Sequence, residues 1–235
     1  MKLSRLAHLT RKALLEYDWS VLNPRNWSWP LIVYPFRALL HPVTTFQEIK
    51  YEKKGSTGLA TLIILLLFLG RVFNFMETSF IFNYNRPERL HLWIQFMSSA
   101  MPALLWCVVN WSLCTLMDGE GSFSEIWIGT AYSFFPVMLS SVICAVLSNV
   151  LTSDERAFLT VIESGALLMT VLMLFISSMI IHQYSFSKTI FSMLLTVCGI
   201  AAVIFLLILI LSMFQQFGTF LSTVIKELFQ RTRGG

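Results

Sequence analysis

Two ionisable side chains stand deep inside long apolar runs, and charges at such depth are where function in a membrane protein is sought first. Arg71 lies just past the middle of the stretch 58–82, and Glu163 about a third into the stretch 156–181. If the first run crosses outward and the other inward, both fall in the outer half of the bilayer. They are expected to face each other and pair, because either charge alone in hydrocarbon costs at least ~2.5 kcal/mol. The pair has two readings: a proton or ion relay, or a structural ion pair whose long side chains snorkel toward headgroups. Glu77 and His182 sit near the ends of their runs, where they are expected to reach water.

Other reactive residue types do not assemble into a site. Neither Gly-x-Ser-x-Gly nor His-Glu-x-x-His occurs, and no glycine-rich loop cradles a phosphate. His8, His41, His91 and His182 recur at no common spacing. Cys107, Cys114, Cys144 and Cys198 all fall in apolar segments without a metal-binding pattern. Asp118, Glu120 and Glu125 could gather a cation, but a glycine-containing acidic turn reads more simply as a solvated loop. No catalytic residue, cofactor or metal site is expected.

The elements that position these residues are membrane helices. Hydrophobic residues make up 56% of the 235-residue chain and charged residues 13%, about half the charge of a soluble domain. Lys50, Lys53 and Lys54 precede Gly55, and the apolar stretch from Gly58 to Phe82 that follows is long enough to cross ~30 Å of hydrocarbon. The lysines mark its N-terminal flank as cytoplasmic. Further spans are read at His91–Met117, kinked or broken by Pro102, and from Phe123 to Leu151, with Pro136 inside. The last two are read at Arg156–Ile181 and Lys188–Ser212. Ser122 with Glu125, and Thr152 with Glu155, have the spacing of helix-starting capping boxes. The segment before Pro136 either belongs to one kinked span or lies along the surface. The first choice puts the C-terminus outside; a re-entrant segment puts both ends inside.

Residues 1–56 form an interfacial segment, 57–212 the helix bundle and 213–235 a basic amphipathic tail. Residues 2–17 place Leu3, Leu6, Leu9 and Leu14 on one helix side and Arg5, Arg11 and Lys12 on the other. Such a helix either lies in the membrane interface or packs as an ordinary surface helix. Between Asn23 and Pro42, four prolines are expected to prevent one continuous helix. The piece Leu31–Leu40 reads as interfacial or shallowly re-entrant, followed by a short helix ending at Tyr51. Small residues at Gly165-Ala166, Ser140-Ser141 and Gly199-Ile-Ala-Ala202 allow close helix approach within the bundle or in a homo-oligomer.

Two stretches resemble the Yip1 family of small polytopic membrane proteins, in its bacterial branch. One is His41-Pro-Val-Thr-Thr-Phe-Gln-Glu-Ile-Lys50, a Pro-x-x-x-Phe-x-x-Ile approach to the first span. The other runs from Gly121 to Pro136 and contains Gly129-x-x-Tyr132-x-x-x-Pro136. With the span spacing, the resemblance covers residues 36–215. It implies a five-helix membrane domain with a cytosolic N-terminus. Eukaryotic relatives are linked to vesicle trafficking and small GTPases, but their Asp-Leu-Tyr-Gly-Pro motif is absent here and that partnership is not carried over. Pro102, Gly129, Tyr132 and Pro136 are read as kink and packing residues.

The sequence therefore points to an all-α polytopic bundle of about five transmembrane helices, with amphipathic N- and C-terminal helices, in a bacterial cytoplasmic membrane. Its expected role is non-enzymatic organisation of membrane components. Partners would be anionic lipid headgroups, met by Arg5, Arg11, Lys12, Lys50, Lys53 and Lys54, and another membrane protein or a second copy. Nucleic acid is not an expected partner. The alternative is a small transporter or ion-conducting module, with Arg71 and Glu163 lining its path.

Overall fold

The computed structural model describes residues 29–79 and 90–233. The described residues form helices and connecting turns, with no strand among them. Two short helices, α1 (Trp29–Leu40) and α2 (Pro42–Tyr51), precede five segments long and apolar enough to cross a membrane. These are α3 (Thr57–Glu77), α4 (Leu92–Leu116), the pair α5 (Phe123–Ser133) and α6 (Phe135–Ser148), α7 (Arg156–His182), and the first part of α8 (Phe186–Arg233). The Arg5, Arg11 and Lys12 helix lies outside the described residues.

Local chemistry accounts for most of these boundaries. Pro42 disfavours the helical region for the residue before it, and His41 sits at φ −134°, ψ 67°, separating α1 from α2. Ser56 caps α3, its hydroxyl accepting from the Leu59 amide at 3.4 Å. Ser122 and Glu125 complete the reciprocal capping box expected at the start of α5. Thr152 and Glu155 also bond, but around a 3-10 turn at Ser153–Glu155 that leads into α7. α7 ends with Gln183 in the left-handed conformation (φ 56°), and the Tyr184 amide reaches back to the Met179 carbonyl, a Schellman-type closure.

Among the described residues between 23 and 42, a helix spans Trp29–Leu40 and breaks at His41 before Pro42, as the prolines predict, while taking Pro30 in its first turn and Pro35 in its interior. A first-turn proline forfeits only an amide that has no helical acceptor. The amphipathic end of the chain is a helical continuation of the last span: α8 runs unbroken from Phe186 to Arg233.

The third span is the packing centre. α5 and α6 join at Phe134, and Pro136 stands in the first turn of α6. α6 packs on both α3 and α7, while α5 packs on α7, α3 and α4. Ile126, Ala131 and Tyr132 are buried, so α5 is part of the bundle and not a surface segment. Phe46 and Ile49 bring α2 into the same core as Ala60, Ala103, Ala131 and Met173. The alanines matter because lipid offers apolar helices no hydrophobic reason to associate, and small residues let backbones come close enough for dispersion to hold them. At Gly199 a side chain would stand 2.7 Å from Val109, so the missing side chain lets α8 approach α4 closely there. α1 also reaches the core, with Phe36 edge-on to Phe135 at 4.8 Å between centroids.

Candidate functional site

At the end of the bundle that carries the lysine cluster, α2 is clamped to the third span by charge. Glu125, in the first turn of α5, is 5% exposed and accepts from Lys50 at 3.2 Å, from Lys53, and from the Ser122 amide at 3.0 Å. Lys50 also donates to the Glu120 carbonyl at 3.0 Å. A buried carboxylate tolerates desolvation only when its lone pairs are filled in this way. Glu125 is thus not part of a solvated loop, and Lys50 does not face headgroups; burial against an opposite charge overrides both expectations. Lys53 and Lys54 remain exposed, with Lys54 paired to Glu52. On α1, Tyr34 donates to Glu48 at 2.7 Å and Arg37 pairs with the same carboxylate at 2.7 Å. The tyrosine hydrogen bond, with the charges of Arg37 and Lys54, holds the Glu48 carboxyl below its usual range.

His182 does not reach water as expected. It is 2% exposed, and its Nε2 bonds Asn110 Oδ1 at 3.0 Å, while Asn110 Nδ2 donates to Thr196 at 3.3 Å. That order makes Nε2 the donor to Asn110 and ties α7, α4 and α8 together. Gly119 and Gly121 let the acidic turn press on the ring, since a side chain at either would stand 2.8 Å from it. The turn is fastened again by Gln183 donating to Glu120 at 2.6 Å.

Arg71 and Glu163 come to the same place without pairing. Both line one cavity of about 290 Å³, and none of the ion pairs among the described residues joins them. The expected direct contact fails because α6 packs between α3 and α7 and contributes Ser140 and Ser141 to the cavity wall. Opposite them, α4 supplies Ser98, Ser99 and Pro102. Pro102 has no amide hydrogen, which leaves the Ser98 carbonyl without its helical donor. Ser99, Ser140 and Ser141 are buried, whereas Ser98, Pro102, Glu163 and Leu167 are exposed on the bundle surface. α4 and α7 make no extensive contact with each other, so the cavity is a cleft open sideways between them. Of the remaining sequence candidates, Gly129 meets Ser177 and Ile181 of α7, and Tyr132 is fully buried, as packing residues are. Sequence reasoning located both cavity charges by their depth, but missed Glu125 and His182, whose partners are 72 to 75 residues away.

Five apolar spans packed around a small-residue core define a polytopic helical membrane protein. The chain belongs to the Yip1 family: the Yip1 domain model matches residues 36–210. The match begins in α1 and ends within α8, so the clamp and the cleft both lie inside it. No curated protein and no solved structure matches the chain.

Proposed function

We propose that this protein is a non-enzymatic organiser of membrane components, which holds a membrane-protein partner or a second copy against α8. The observation that supports the reading is α8 itself. Its 48 residues extend ~72 Å at ~1.5 Å each, more than twice the ~30 Å hydrocarbon thickness. Its first half packs on α4, but from Phe205 to Leu221 every large apolar side chain is exposed. Gln215 and Gln216 interrupt the apolar run, and Phe217, Phe220 and Leu221 continue beyond it as a stripe. A stripe carried past the hydrocarbon needs cover from another protein surface. The absence of nucleophile, base and metal motifs in the sequence supports a non-enzymatic role.

We read the membrane as a bacterial cytoplasmic one with the lysine-rich end of the bundle inside, an orientation that the positive-inside bias supports. There Arg5, Arg11, Lys12, Lys53 and Lys54 meet anionic headgroups, at ~1 kcal/mol per basic residue. The test is purification of the tagged full-length chain in mild detergent, beside a chain ending at Phe214. A stoichiometric membrane protein, or self-association, that depends on residues 215–235 supports the proposal; identical composition of the two preparations contradicts it.

The cleft favours a second reading, a small transport module using Arg71 and Glu163. Solute flux into proteoliposomes that Glu163→Gln abolishes would support that reading.

A further inference from the structure

We propose that the cleft between α4 and α7 binds the headgroup of a zwitterionic phospholipid carrying a primary ammonium, drawn in from the surrounding leaflet. Arg71 and Glu163 face one cavity from α3 and α7 and do not neutralise each other. A ligand carrying both charges satisfies them together, with phosphate oxygens on the Arg71 guanidinium fork and the ammonium on the Glu163 carboxylate. Pro102 offers the Ser98 carbonyl no helical amide, which makes this carbonyl a candidate further acceptor at a residue of the same wall. A primary ammonium has hydrogens to give to both acceptors, while a trimethylated one has none.

Size and access select a lipid over a free solute. The cavity, about 290 Å³, falls just below the ~300–1,000 Å³ of pockets that enclose whole drug-sized ligands. It accommodates a headgroup and leaves acyl chains outside. The mouth is lateral: Ser98 and Pro102 form one lip and Glu163 and Leu167 the other, each exposed on the face that spans present to lipid. Below that lip, Leu168, Val171 and Leu172 continue along α7 as an exposed apolar face on which chains can lie. Asn74 donates to the Ser141 carbonyl at 2.9 Å and so ties α3 to α6 at a residue of the cleft wall. The inference does not depend on what covers α8.

The test is native mass spectrometry of the full chain after equilibration in mixed micelles holding phosphatidylethanolamine and phosphatidylcholine in equal amounts. The expected result is about one phosphatidylethanolamine per chain, retained at least about tenfold over phosphatidylcholine, with retention at least about tenfold weaker in Arg71→Met and in Glu163→Gln. Equal retention of the two lipids overturns the proposal, and this comparison needs no variant to fold. Monodisperse variants that retain phosphatidylethanolamine as the parent does also overturn it. Complete displacement by soluble O-phosphoethanolamine at the lipid's concentration overturns the lipid source; persistence of the bound lipid supports it.

Discussion

Glu125 anchors three neighbours at once, and its loss separates packing from charge. Glu125→Gln keeps the shape but leaves Lys50 buried beside a neutral amide, so destabilisation of about 3 kcal/mol is expected. Lys53→Ala removes only an exposed partner and should cost less than about 1 kcal/mol. Denaturant unfolding in detergent measures both; equal effects would mean that burial of the pair is unimportant. The double change Lys50→Met with Glu125→Gln should recover part of the loss, since an apolar pair has no charge left unpaired. Glu48 gives the pH dependence. Its carboxyl is held below the ordinary value of 4.5, first by the Tyr34 hydroxyl. A depressed carboxyl contributes stability above the unfolded value and loses it as pH falls through the folded one. Thermal stability should therefore decline as pH is lowered below 4.5, and the decline should be shallower in Glu48→Gln. A parallel decline in the two chains would assign the acid sensitivity elsewhere.

At the scale of elements, glycines report where helices and turns touch. A side chain at Gly119 would stand 2.9 Å from the Cys114 carbonyl and 2.6 Å from the Tyr184 hydroxyl, whereas at Gly165 nothing lies within 4 Å. Gly119→Ala is expected to destabilise by about 1–3 kcal/mol through overpacking against backbone. Gly165→Ala is expected to be neutral or to stabilise by up to about 1 kcal/mol through helix propensity. Melting temperatures of the two purified variants check the contrast, and equal behaviour would contradict the placement of the acidic turn over His182. The elements themselves were largely legible in the sequence. Apolar length located the spans, Ser122 and Glu125 announced α5, and Pro136 marked the joint with α6, because each depends on residues a few positions apart. What depends on distant residues was not legible. The Lys50–Glu125 clamp, the His182–Asn110–Thr196 chain and the intrusion of α6 between Arg71 and Glu163 arise only when spans assemble. The helix across Pro35 shows local propensity giving way to tertiary packing, with Phe36 seated against Phe135.

At the scale of the whole molecule, two features look outward from the bundle. The cleft opens toward lipid between α4 and α7, and α8 carries its apolar surface beyond the α4 contact. Both charges lining the cleft could be placed by depth from sequence alone, but only the assembled bundle distinguishes a shared cavity from a pair. The continuity of α8 past the Yip1 match at 210 makes it the feature on which an organising role turns. Photocrosslinking from position 217 of the full chain in native membranes tests that role most directly, with position 142, an exposed site on α6, as the control. The organising role predicts one dominant protein adduct from position 217, absent from position 142 and found at stoichiometric yield with the purified complex. Lipid adducts alone at position 217, or the same protein adducts from both positions, would contradict it.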